Sequence, residues 1–186
     1  MSTKMNLQVT EKQMKFLKAD HVTEVLFGGA AGGGKSYVQL VDAFLYAVKY
    51  PGSKQLILRR TYPELEMSLI QVHLGLYPKE IYRYNETKHR GQMKNGSMIT
   101  FGSLQRESDV YKYQGAEFDV IRFDELTHFT WAQYSYLLSR LRGANDFPKR
   151  MYLTCNPGGI GHQWVKRLFV KRDFLPNENP DDYLFI

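Results

Sequence analysis

The chain has 186 residues, 43% of them apolar, and 25 Lys and Arg set against 19 Asp and Glu give a net charge of +6. That length favours one domain, the apolar content excludes a disordered chain, and no apolar run approaches the roughly 18 residues needed to cross a bilayer. Cys155 is the sole cysteine, which excludes a disulfide framework and a multi-cysteine zinc site. Nothing near Met1 reads as a signal peptide, so a reducing, cytoplasmic setting is expected.

In chain order, Thr10-Glu11-Lys12-Gln13 matches a helix capping box, with Gln13 answering Thr10. The apolar run Val25-Leu26-Phe27 predicts a strand. From 36 to 49, Val38, Val41, Leu45 and Val48 recur three or four apart and predict one inward helix face, stopped by Pro51-Gly52. Leu56-Ile57-Leu58 predicts a second strand, and the region from Tyr62 to Arg90 resists assignment. Asn95-Gly96 predicts a hairpin turn leading into a strand at Met98-Ile99-Thr100-Phe101. Val120-Ile121-Arg122-Phe123 predicts another strand, although a central parallel strand is normally apolar on both faces. Arg122 must therefore snorkel, find a partner, or mark an open face. A helix over 130–141 turns Tyr134, Leu137, Leu138 and Leu141 inward. A last strand at Met151-Tyr152-Leu153-Thr154 precedes a helix after Gly161 carrying Trp164, Leu168 and Phe169. Strands alternating with helices predict an α/β domain with a mainly parallel sheet.

The decisive stretch is Gly29-Ala30-Ala31-Gly32-Gly33-Gly34-Lys35-Ser36, which satisfies G-x-x-x-x-G-K-[ST] between a strand and a helix. Glycines let backbone amides converge on a phosphate tail, and the helix behind them aims its positive end at the same anion. Lys35 would reach the β and γ phosphates and the Ser36 hydroxyl would ligate Mg²⁺. A neighbouring strand ends in Asp124-Glu125: Asp124 would hold the metal and Glu125 would polarise an attacking water. Thr154 and Asn156 bring hydrogen-bonding groups to another strand end, as γ-phosphate reporters or as simple turn chemistry before Pro157-Gly158-Gly159. Cys155 has no base partner and reads as buried and unreactive. Gln13 has a structural role as the cap, but a side-chain amide just before such a loop also suits adenine, and no guanine-reading motif is present.

Together these residues resemble the ATPase domain of the large terminase subunit of tailed bacteriophages. The resemblance runs from about Thr10 to Phe169. It rests on Phe27 to Ser36, Leu58-Arg59-Arg60-Thr61, Tyr113-Gln114-Gly115-Ala116-Glu117-Phe118-Asp119 before Asp124-Glu125, and Thr154-Cys155-Asn156-Pro157-Gly158-Gly159 with His162-Gln163-Trp164 behind it. It implies a P-loop NTPase of the additional-strand catalytic-glutamate type, with ATP and Mg²⁺ as cofactors and double-stranded DNA moved into a procapsid. It places adenine at Gln13, the phosphates and Mg²⁺ at Lys35 and Ser36, metal and water at Asp124 and Glu125, and coupling at Thr154 to Asn156. It further implies a homo-oligomeric ring on the portal protein with a small terminase subunit, and no membrane. The nuclease domain that completes such subunits finds no room in 186 residues, so one ATPase domain without nuclease activity is expected. An arginine finger is expected too, with Arg106, Arg140 and Arg142 as candidates; nothing in their spacing chooses among them.

Basic residues at Lys88-His89-Arg90-Gln92-Lys94, Lys149-Arg150, Lys166-Arg167 and Lys171-Arg172 are candidate phosphate contacts for a sequence-blind DNA grip. Two other functions share the same loop: a P-loop kinase, and an ATP-gated nucleic-acid-binding module without translocation. The Asp124-Glu125 pair favours hydrolysis over the kinase, and replacing Glu125 by Gln separates an enzyme from the binding module.

Overall fold

A computed structural model describes residues 7–30 and 32–186. Helix α1 (Glu11–Leu17) starts at Thr10, whose hydroxyl accepts from the Gln13 amide while Gln13 Oε1 accepts from the Thr10 amide, as the capping box predicts. Strand β1 (Glu24–Gly28) leads into helix α2 (Lys35–Lys49), and β2 (Lys54–Arg59) follows. The stretch that resisted assignment holds α3 (Tyr62–Leu65), which runs without a break through a π-helical segment at Glu66–Ile70 into α4 (Gln71–Leu76), and strand β3 (Tyr82–Asn85). Strands β4 (Arg90–Met93) and β5 (Met98–Ser103) flank the Asn95-Gly96 turn, with Gly96 at φ 88°. Strand β6 (Val120–Phe123), helix α5 (Trp131–Leu138), strand β7 (Arg150–Cys155), helix α6 (His162–Val165) and strand β8 (Tyr183–Phe185) complete the chain.

Among the described residues eight strands form one sheet in the order β3-β4-β5-β2-β6-β7-β1-β8. From β5 to β8 every pairing is parallel; β3 and β4 add an antiparallel edge. Strand β7 sits between β1 and β6, so one strand is inserted between the phosphate-loop strand and the acidic strand. Parallel pairing puts the carboxyl ends of β1, β7, β6 and β2 on one edge, where ligands of open α/β sheets bind.

The predicted inward face of α2 is half right. Val38 and Val41 are buried, but Leu45 and Val48 are 42% and 47% exposed. The line facing the sheet is instead polar: Ser36, Gln39, Asp42 and Tyr46, flanked by buried Leu40, Ala43, Phe44 and Ala47. Gln39 Nε2 donates to the carbonyls of Phe123 (3.3 Å) and Tyr152 (3.1 Å), and Tyr46 donates to Pro148 O (2.7 Å). Asp42 answers the puzzle of Arg122. That guanidinium is fully buried, lies 2.7 Å from Asp42 Oδ2, donates through Nε and Nη2 to Gln55 Oε1, and rests 4.9 Å from the Tyr152 ring. Hydrophobic periodicity mistook the helix face because polar residues with fixed partners occupy it.

Helix α5 ends at Leu138, short of 141, because Leu141 pairs with Phe118 as an isolated parallel bridge instead. Tyr134 and Leu137 are buried as predicted. At the other edge, His73 on α4 is fully buried, stacks on Phe101 at 4.4 Å and meets Tyr77, Tyr82 and Tyr84 edge-on. Burial lowers the His73 pKa from 6.5 to about 4. As pH falls through 6.5 the unfolded chain takes up a proton that the folded one refuses, so stability is lost progressively between 6.5 and 4, by at most about 3 kcal/mol. Replacing His73 by Phe should flatten that part of the Tm-versus-pH curve, read as the difference between variant and wild type; parallel curves would refute the assignment.

Candidate active site

Gly29 (φ 139°), Gly32 (φ 85°) and Gly34 (φ 64°) carry the chain from β1 into α2 through backbone conformations that side chains resist. Ala31, expected to line the same loop, lies outside the described residues. Helix α2 has no side-chain cap at its amino end, so the first-turn amides remain available to an anion. Gly34 needs to be glycine for a second reason: a Cβ there would sit 2.5 Å from Gln13 Nε2. That amide donates to Gly33 O (3.3 Å) and Gly34 O (3.2 Å), so α1 braces the loop. Both polar ends of Gln13 are thus engaged by the protein. An adenine would have to displace those contacts.

Lys35 folds back over the loop, donating to Gly29 O (3.2 Å), Ala30 O (2.7 Å) and Asn156 Oδ1 (2.9 Å). Its ammonium is thereby confined beside the α2 amino terminus, at the mouth of the loop. Ser36 Oγ donates to Asp124 Oδ1 at 2.8 Å, and Thr154 Oγ1 donates to the same oxygen at 2.7 Å. Asp124 is fully buried, and its other oxygen pairs with Arg59 Nη1 from the end of β2. A hydroxyl and a carboxylate that meet beside the loop form the hard oxygen set that Mg²⁺ takes.

Glu125 sits at φ 61°, ψ 59°, a left-handed conformation that costs a residue with a side chain roughly 1–2 kcal/mol. Its carboxylate is held at both oxygens: the Asn156 amide donates to Oε2 (2.9 Å) and Asn156 Nδ2 to Oε1 (2.6 Å), while the Glu125 amide donates to Thr154 Oγ1 (3.3 Å). Asn156 therefore joins Lys35 to Glu125 through the two ends of one side chain. Cys155 between them is buried, its thiol pushed up to about 11 by burial first and by the Glu125 charge second, which keeps it protonated and inert.

Two of the candidate finger residues are not brought to this site. Arg140 O accepts from the Phe118 amide and the Arg142 amide donates to Phe118 O, which fixes both at the amino edge of the sheet. Asp124 lies six residues further along that strand, about 20 Å at roughly 3.3 Å per residue. Arg140 stacks on Tyr136 and meets Ser139, and Arg142 faces Glu117 at 3.7 Å. Neither can act on the loop of its own chain. Arg106 is exposed beyond the end of β5, where its carbonyl accepts from Gln133 Nε2. The residue that sequence reasoning missed is Arg59. Its signal was available: a cation at the carboxyl end of an apolar strand, the same criterion that singled out Asp124.

The chain belongs to the phage terminase large subunit family. It matches that family over residues 20–186. No curated protein matches it. Among solved structures, the large terminase of a thermophilic bacteriophage superposes with a TM-score of 0.72 at 16% identity, covering 97% of this chain and 45% of that one; that protein has also been solved with ADP and with ATP-γ-S. The large terminase ATPase domain of Thermus phage P74-26 gives 0.71 at 17% identity, covering 98% of this chain and 81% of that domain. The phi29 genome packaging motor assembly gives 0.57 at 17%, covering 91% of this chain and 54% of that one. This chain thus spans less than half of the thermophilic-phage protein, and at such identities the likeness establishes the fold: an α/β sheet of P-loop NTPase type.

Behind Asn156 the chain turns through Gly158 (φ 100°) and Gly159 (φ 89°). A Cβ on Gly159 would lie 2.4 Å from Thr127 O, whereas Gly158 faces open space. Gly159→Ala should therefore cost at least about 2 kcal/mol, from the left-handed backbone and a clash with main chain, and Gly158→Ala about 1 kcal/mol. Urea denaturation of the two variants checks the order.

Proposed function

We propose that this terminase domain binds ATP with Mg²⁺ and hydrolyses it to drive double-stranded DNA into a viral procapsid. The observation that carries the reading is the convergence of Lys35, Ser36, Asp124, Glu125 and Asn156 on one sheet edge, behind a glycine loop that opens a helix. The nucleotide complexes of the thermophilic-phage terminase and the motor assembly of phi29 support it.

The loop glycines and the amino end of α2 receive the triphosphate, and Lys35 moves from the carbonyls of Gly29 and Ala30 to phosphate oxygen. Ser36 and Asp124 would hold Mg²⁺, which when bound would supply charge neutralisation to the phosphates. Glu125 orients and deprotonates the attacking water once its carboxylate leaves Asn156. Thr154 keeps Asp124 in place, and Asn156 reports whether Lys35 has moved. Gln13 buttresses the loop and lies closest to where the base would enter. Arg140 and Arg142 cannot reach their own loop, so either would serve only as a finger on a neighbouring subunit of a ring assembled on the portal with a small terminase subunit, whereas Arg106 lies past the carboxyl end of β5. DNA cleavage forms no part of this proposal.

For the DNA-facing surface, basic residues already engaged within the chain are the less available ones. Lys149 is bound by Asp119 and Asn145, Arg167 by Glu178, and Arg172 by the carbonyls of Pro180 and Tyr183. Arg90, Gln92 and Lys94 are exposed, and alternate along β4 so that they share one face next to Lys88. Lys166 and Lys171 are exposed as well, but the hairpin gathers its cations on one strand face, which makes it our favoured site of the phosphate grip.

Two measurements test the reading. Glu125→Gln should retain ATP-analogue binding and lose turnover by roughly 10²–10⁴-fold; unchanged turnover, or a phosphorylated acceptor in place of free phosphate, would refute hydrolysis at this site. Reversing charge at Lys88, Arg90 and Lys94 together should weaken binding to linear duplex DNA at low salt and reduce the steepness of its salt dependence. Equal binding by the reversed variant would move the grip elsewhere.

A further inference from the structure

A helix laid on a sheet through apolar side chains alone has no sharply defined axial position, because the hydrophobic effect is non-directional. Hydrogen bonds and ion pairs do define one. The sheet-facing line of α2 departs from the apolar norm at each turn: Ser36 to Asp124, Gln39 to the carbonyls of β6 and β7, Asp42 to Arg122, and Tyr46 to Pro148 O. Gln55 closes the set from β2, accepting from Arg122 and donating to Ala43 O of α2 at 2.8 Å. Arg122 and Asp124 are two residues apart on one strand and therefore face the same side. Ser36 and Asp42 lie on the same side of α2. The buried charge pair and the metal-binding pair thus join the same two elements on either side of the Gln39 contact with Phe123 O.

We infer that Arg122, Asp42 and Gln55 act as a register key: they fix the axial position of the phosphate-loop helix against the acidic strand, so that the Ser36 hydroxyl and the Asp124 carboxylate are held at the spacing a divalent cation requires. Arg122 is a positioning residue in this role, since it touches neither nucleotide nor metal. A buried ion pair is weak as a source of stability, because desolvation offsets the attraction, and apolar residues of similar volume often replace such a set without loss. What an apolar replacement cannot supply is direction. Stability and metal affinity should therefore come apart when the key is removed, which a merely structural role does not predict.

The inference rests on the ATPase reading, and the experiment separates the two. The triple variant R122M/D42L/Q55L replaces the key by apolar side chains. Its urea midpoint should stay near that of wild type, while the Mg²⁺ concentration giving half-maximal binding of a fluorescent ATP analogue rises about tenfold and kcat falls at least as much. A control, Leu137→Ala, empties core on the opposite side of the sheet; it should lower the urea midpoint and leave the Mg²⁺ midpoint unchanged. Should the triple variant not fold, Arg122→Lys keeps the charge opposite Asp42 but loses the paired donors to Gln55, and should raise the Mg²⁺ midpoint by a smaller factor of two to five. A folded triple variant, or failing that the Lys variant, with the wild-type Mg²⁺ midpoint overturns the key. So does a Leu137→Ala control that shifts the Mg²⁺ midpoint as far as the variants do. Wild-type protein that binds no nucleotide would instead refute the ATPase reading itself.

Discussion

The Asp124 carboxylate is the point on which the rest of the structure depends. It is fully buried and would be intolerable there without partners. Three elements supply them: Ser36 from α2, Thr154 from β7 and Arg59 from β2. Each arrives at the carboxyl edge because parallel strands present their ends together. The sheet order, with β7 inserted between β1 and β6, is what lets a threonine from one strand and a serine from the phosphate-loop helix reach the same oxygen atom. Fold and chemistry are here one constraint, because removing any of the three would leave a buried charge short of compensation.

The next layer is the pairing of Lys35 and Glu125 through Asn156. An ammonium and a carboxylate this close would ordinarily form a direct ion pair. The intervening amide instead accepts from one and donates to the other, keeping the two charges apart and both oriented. Glu125 tolerates its left-handed backbone because its carboxylate has two fixed donors on Asn156.

Much of this was legible in the sequence. The phosphate loop, the Asp124-Glu125 doublet and the Thr154 to Asn156 strand end were readable because each places a rare residue pattern at a strand terminus, and strand termini are where a parallel sheet collects function. The five central strands were readable as short apolar runs. Three things were not. Periodicity failed on α2, since Leu45 and Val48 repeat at helical spacing yet face solvent while Gln39 and Asp42 face the sheet; only the positions of Arg122 and Gln55 explain that inversion, and those are tertiary facts. The 62–90 region failed because its helix, 62–76, is widened to a π-helix at Glu66–Ile70, which shifts the apolar period, and is followed by a short edge strand. The finger could not be chosen because nearness to Asp124-Glu125 along the chain is not nearness in space: the parallel bridge of Leu141 to Phe118 holds Arg140 and Arg142 at the opposite edge.

The antiparallel hairpin bears on how such a domain can do work. Strand β4 lies five places from β1 across the sheet. At about 4.8 Å per strand that is roughly 24 Å. Two routes join the exposed cations of β4 to the phosphate loop: the rungs of main-chain hydrogen bonding in β5, β2, β6 and β7, and the seating of the hairpin turn on α2, where Asn95 Nδ2 and Ser97 Oγ both donate to Ala47 O. Helix α2 opens at the phosphate loop and closes against the hairpin turn, so one rigid element of 15 residues bridges what the ladder crosses strand by strand.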